Sequence, residues 1–133
     1  MIEIDKMEKI LNYIDGELRE PFGGNYLENV EPATGKPYSL LSDSDESDVQ
    51  LAVQAAKEAF PAWSKTPRDK RSAILYRISE LIIQNLDQLA AAESIDNGKP
   101  VSLATKVDIP RAAHNFRFFA TAILHFASES HHM

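Results

Sequence analysis

The stretch Glu93-Ser94-Ile95-Asp96-Asn97-Gly98-Lys99-Pro100 carries the acids whose position most needs a chemical reason. Gly98 suits the left-handed residue that closes a helix, and Pro100 prevents its continuation. A helix C-terminus bears partial negative charge, so Glu93 and Asp96 are disfavoured there unless something positive lies close. Lys99 is the cation nearest in sequence. Other reactive groups are sparse. The chain has no cysteine, which excludes disulfides, thiolate metal sites and a cysteine nucleophile within it. Its imidazoles are His114, His125, His131 and His132. His114 falls in a helical pattern with Arg111 and Arg117 at helical spacing. None of the four has the second-ligand spacing or carboxylate partner of a metal or general-base site, so they read as surface or packed histidines. No Gly-x-Ser-x-Gly elbow occurs. Gly23-Gly24 is the one glycine pair, and no helix follows it directly, as a phosphate-cradling loop requires. The acidic run Ser42 to Asp48 lacks the glycine and closing glutamate of a calcium loop and reads as a helix start.

The elements that must carry these residues begin with hairpins. Asp15-Gly16, between the arms Asn12–Ile14 and Glu17-Leu18, is the composition of a tight two-residue turn. Asn25 to Val30 and Lys36 to Leu41 form a second extended pair around the turn Glu31-Pro32-Ala33-Thr34-Gly35. Helical periodicity then takes over. Ser44 or Asp45 caps a first helix, Val49, Ala52, Val53, Ala56 and Phe60 form its apolar stripe, and Pro61 ends it. Thr66 caps a second, with Pro67 at its first position, and Ile74, Leu75, Ile78, Leu81 and Ile82 make its face. That stripe passes a kink or fresh start at Asn85 and runs on to the Glu93 block. A third stretch covers Ser102 to Ala127, with Pro110 bending it or starting its second half, and Ala113, Phe116, Phe119, Ala120 and Ile123 on one face. The run Phe116-Arg117-Phe118-Phe119 reads as core rather than as a base-stacking platform. The expected fold is mixed α+β and predominantly helical: two N-terminal β-hairpins, then three amphipathic helical stretches.

Length and charge narrow the classes. A chain of 133 residues fits one domain, and 14 Lys+Arg against 20 Asp+Glu leave a net charge of −6 with the basic residues scattered. That is poor material for a nucleic-acid phosphate track. No apolar run approaches a membrane span, and the mixed-charge N-terminus is unlike a secretory signal, so the expected location is the cytoplasm.

Five blocks in register carry a resemblance: Tyr13-Ile14-Asp15-Gly16-Glu17, Glu31-Pro32-Ala33-Thr34-Gly35, Ala52 to Trp63, Asp96-Asn97-Gly98-Lys99-Pro100, and Ile109-Pro110-Arg111 with Asn115 to Ala120. In order and spacing the sequence resembles the N-terminal quarter of the NAD(P)-dependent aldehyde dehydrogenase family, from about residue 10 to the end. Leu124 to Met133 resembles the branch acting on 2-aminomuconate or 2-hydroxymuconate semialdehydes. The resemblance implies that residues 1–133 are the N-terminal part of the family's α/β fold, flanking a nucleotide-binding sheet. It implies a parent enzyme that oxidises an aldehyde to a carboxylic acid by thiolate attack, hydride transfer to NAD or NADP, and thioester hydrolysis. It also implies that the catalytic cysteine, general base and dinucleotide site lie outside this chain. The chain alone is therefore expected to be inactive and to bind no cofactor, with no catalytic or cofactor-binding residue of its own.

Its expected partners are the remainder of an aldehyde dehydrogenase chain, or further copies of itself through exposed apolar helix faces, and neither nucleic acid nor membrane. A non-catalytic module that complements a separate catalytic fragment is the alternative. In many family members the aspartate matching Asp96 and the backbone carbonyl at the position of Val30 help hold a monovalent cation. The resemblance thus implies Val30 and Asp96 as ligands of a sodium or potassium ion.

Overall fold

A computed structural model describes residues 7–126; His131, His132 and the ends of the N-terminal segment and of the third helical stretch (Ala127) lie outside the described residues. The strands are β1 (Glu8–Ile10), β2 (Asn12–Ile14), β3 (Glu17–Arg19), β4 (Tyr26–Glu31) and β5 (Lys36–Ser42). The helices are α1 (Glu46–Trp63), α2 (Arg68–Gln84), α3 (Leu86–Asn97), the single turn α4 (Val101–Leu103), a π-helical segment (Ala104–Asp108) and α5 (Ile109–His125). The mixed, mainly helical fold read from the sequence is what the chain adopts. Two compact units form among the described residues, 7–65 with Ile95–Gly98, and Thr66–Ser94 with 99–126.

In the first unit both expected hairpins are present. Asp15 and Gly16 take φ of 54° and 80°, the paired positive angles of a two-residue turn, and β2 and β3 pair antiparallel around them. β4 and β5 pair antiparallel, and β1 adds in parallel to β5, giving the order β1-β5-β4. The sequence does not announce β1, because its partner strand is distant along the chain and its own residues are all exposed.

α1 begins with a reciprocal cap. Asp45 accepts from the Ser47 and Asp48 amides, while the Asp48 carboxylate accepts from the Asp45 amide. Asp48 is only 7% exposed, and it also receives the Phe22 amide at 3.0 Å and the Asn12 side chain at 3.5 Å. One carboxylate thus closes the helix start and fastens the Pro21–Gly24 loop to it. Pro61 does not end α1 as expected; it lies inside the last turn, and the helix runs on to Trp63. So near a C-terminus, a proline forfeits one hydrogen bond of a helix that is already ending. Along the α1 stripe Val49, Val53 and Phe60 are exposed.

In the second unit α2 and α5 run antiparallel and in contact. The Ser72 hydroxyl donates to the Ala120 carbonyl at 2.6 Å, and Arg68 donates to the Phe126 carbonyl at 2.7 Å. Buried Ser72, Ser79, Ala113 and Ala120 keep the seam thin. The cap of α2 is Pro67, one position later than the Thr66 cap read from the sequence, because Pro67 has ψ of 148° and helical angles start at Arg68. The break between α2 and α3 falls at Asn85, as expected, with its side chain bonded back to the Leu81 carbonyl.

Ala90, Ala104 and Ile109 form a small core flanked by Ile82 and Leu86. In a regular α-helix residues five apart point in divergent directions. Here the Ile109 amide bonds to the Ala104 carbonyl, a π-turn that brings both side chains inward. Pro110 then opens α5, matching the expected second half of the third stretch. The aromatic run is not core among the described residues: Phe118 and Phe119 are 58% and 60% exposed and meet edge to face. Alanines, not phenylalanines, fill the α2 seam.

Candidate functional site

Within the first unit, two of the sequence blocks come into contact. Gly98, with φ of +77°, packs against the Glu31–Gly35 turn so closely that a Cβ there would lie 3.1 Å from Pro32 Cβ. The turn is closed by the Gly35 amide on the Glu31 carbonyl at 2.8 Å, and the Thr34 hydroxyl donates to the Glu31 carboxylate at 2.8 Å. Glycine is therefore required at 98 twice, by its backbone angle and by the space left to it.

Asp96 lies beside the same hairpin. Its Oδ1 accepts the Tyr38 hydroxyl at 3.0 Å and the Asn29 side-chain amide at 3.3 Å, and Asn29 also donates to the Tyr38 oxygen at 2.8 Å. Burial, then the bonded Asp96 carboxylate, raise the Tyr38 hydroxyl above its ordinary value, since both disfavour a tyrosinate there. Tyr38 reaches this position through an irregularity. Asn29 pairs with Ser39 but Val30 with Pro37, so Tyr38 is the extra residue of a bulge in β5. Neither Asn29 nor Tyr38 stands out in the sequence. The one available signal was Pro37, which cannot donate within a sheet and so favours an edge or a bulge.

Val30 adjoins Asn29, so the structure brings the strand segment bearing Val30 to the Asp96 carboxylate. Pro37, opposite Val30, has no N–H. A carbonyl and a carboxylate are the hard oxygen donors a sodium or potassium ion takes. They make a partial set: among the described residues no group of His, Cys, Asp and Glu forms a metal-binding cluster.

The second acid of the block is answered separately. In the second unit Lys99 donates to Glu93 at 3.0 Å and to Asp108 at 2.8 Å, and Arg111 reaches Asp108 at 3.1 Å. The Asp108 and Glu93 carboxylates hold the Lys99 ammonium above its usual range, and Lys99 holds Asp108 below the usual carboxylate range. The charge conflict read from the sequence is thus resolved by two devices: Lys99 for Glu93, and neutral donors from the hairpin for Asp96.

The remaining candidates stay apart. His114 and His125 are exposed at the surface of α5. Arg117 stacks on Tyr76 with its guanidinium carbon 4.9 Å from the ring centre. Gly23-Gly24 leads into β4, not into a helix, so the residues present do not fit a dinucleotide phosphate cradle. Among the described residues no helix is long and apolar enough to cross a membrane.

Comparison with known proteins places the chain in a family. The model of the aldehyde dehydrogenase family matches residues 20–133, and this chain belongs to that family. It is 48% identical over 105 residues to a 2-aminomuconic semialdehyde dehydrogenase of Bos taurus, covering 79% of this chain and 22% of that protein. It is 47% identical over 112 residues to acetaldehyde dehydrogenase 2 of Cupriavidus necator, covering 84% and 22%. Among solved structures, the crystal structure of PnpE in complex with nicotinamide adenine dinucleotide superposes with a TM-score of 0.82 at 34% identity. That match covers 84% of this chain and 23% of PnpE. An indole-3-acetaldehyde dehydrogenase complexed with NAD+ gives 0.88 at 29% identity, over 98% and 27%. The chain thus spans about a quarter of the length of the relatives it matches.

Proposed function

We propose that the chain is the N-terminal structural part, residues 1–133, of an enzyme that oxidises an aldehyde to a carboxylic acid with NAD or NADP. The observation that carries this is the seating of Gly98 on the Glu31–Gly35 turn, where two family motifs meet. The family match supports the reaction class, and relatives 41–48% identical support 2-aminomuconate semialdehyde as the substrate. The enzyme would work in the cytoplasm. On this reading the chain supplies scaffold and no redox step: it has no thiol to attack a carbonyl, and its glycine pair opens a strand.

Its partner is the remainder of the family fold, which would cover the exposed stripes of α1 and α5; without that cover, copies of the chain associate through them. Val30 and Asp96 would contribute a carbonyl and a carboxylate oxygen to a sodium or potassium ion. The Asn29–Asp96 bond supports this, since Asn29 adjoins Val30.

The test is to assay the purified chain with acetaldehyde and NAD+, and to titrate it with NAD+ alone by calorimetry. No NADH and no binding heat are expected. NADH formation by the chain alone would overturn the assignment to a scaffold. For the ion, thermal unfolding should occur at higher temperature in potassium chloride than in choline chloride, and Asp96→Asn should abolish the difference; equal midpoints for the unaltered chain would dismiss the ion.

A further inference from the structure

We infer that Asn29 and Tyr38 are positioning residues for the Asp96 carboxylate, a latch by which the bulged hairpin, rather than α3 itself, sets the orientation of that acid. The hydrogen bonding leaves little slack. The Asn29 amide donates to both the Tyr38 oxygen and Asp96 Oδ1, at 2.8 and 3.3 Å, while Tyr38 accepts from Asn29 and donates to the same Oδ1 at 3.0 Å. Three side chains from β4, β5 and α3 therefore close a ring in which each fixes the other two. The bulge makes this possible. With Asn29 opposite Ser39 and Val30 opposite Pro37, Tyr38 is the residue the ladder does not pair.

A second contact locks the same helix end. Gly98 abuts Pro32, so the backbone beyond Asp96 is held against the turn that joins β4 to β5. Ile95–Gly98 accordingly group with the hairpin unit and not with the helical unit. The latch uses neutral donors on a charged acceptor, the stronger class of hydrogen bond, and needs no ion to complete it.

Hydrogen exchange tests the latch. In Tyr38→Phe the Asn97 and Gly98 amides should exchange about tenfold faster, the loss expected for one hydrogen bond to a charged acceptor. Asp96→Asn keeps an acceptor oxygen and should retain slower exchange, whereas Asp96→Ala should not. The two Asp96 variants separate charge from geometry. All measurements are made in potassium chloride and in choline chloride. Equal protection in both salts supports the latch, whatever becomes of the cation reading. Protection seen only with potassium overturns it, because the ion would then be orienting the acid. Unchanged exchange in Tyr38→Phe also overturns it.

Discussion

Gly98 and Gly35 both sit at positive φ, +77° and +66°, but only Gly98 has a neighbour where a side chain would go. Alanine at Gly35 should cost the left-handed backbone penalty, about 1–2 kcal/mol. Alanine at Gly98 should cost that and more, because Pro32 must move; urea unfolding of the two variants checks the order, and equal losses would contradict the Pro32 contact. The Lys99–Asp108 pair gives a pH signature. Asp108 is held below its ordinary value, so its contribution is present above about pH 4 and disappears as pH falls further. Lys99 is held above its ordinary value, so its contribution is intact at neutral pH and disappears as pH rises past about 10.5. Asp108→Asn should flatten the acid limb of a stability–pH curve, and an unchanged limb would contradict the pairing. At this scale the left-handed angle of Gly98 and the helix stop at Pro100 were legible because both are local, whereas the Pro32 contact of Gly98 was not. Tyr38 and Asp108 were not: the first depends on a bulge in strand register, the second on a π-turn that aims it at Lys99.

The π-turn is best understood as one extra residue in a helix, inserted between Ala104 and Ile109. Deleting the exposed Lys106 should therefore restore an α-turn, keep Ala104 and Ile109 on the core side, and leave cooperative unfolding intact by circular dichroism. Deleting Ala112 instead should rotate Ala113 and Ala120 off the α2 seam and abolish cooperative unfolding. If both deletions behave alike, the π-turn does not set the register. At the seam, Ala120→Leu should destabilise by about 1–3 kcal/mol through overpacking against Ser72, read from denaturant midpoints. The hairpins, the α1 cap and the break at Asn85 could be read from the sequence because each is written in a few adjacent residues. β1 could not, since parallel pairing depends on a distant strand. The run Phe116 to Phe119 misled for a related reason: periodicity identifies an apolar face but not what covers it.

Across the described residues the buried apolar set is small, mostly alanines with Ile14, Leu40 and Ile109, while Tyr13, Leu18, Phe22, Phe60, Phe118 and Phe119 are exposed. Surfaces of that kind bury themselves in a partner. The purified chain should accordingly sediment as associated species whose size grows with concentration, and a monomer that binds no hydrophobic dye would contradict this. The chain's proposed role is that of N-terminal scaffold of an aldehyde-oxidising enzyme. Its most direct test is a chimera in which residues 20–133 replace the matched segment of the Cupriavidus necator relative, assayed by NADH formation from acetaldehyde. The chimera should fold and turn over while the chain alone stays silent; a folded chimera that binds NAD+ but forms no NADH would contradict the scaffold role.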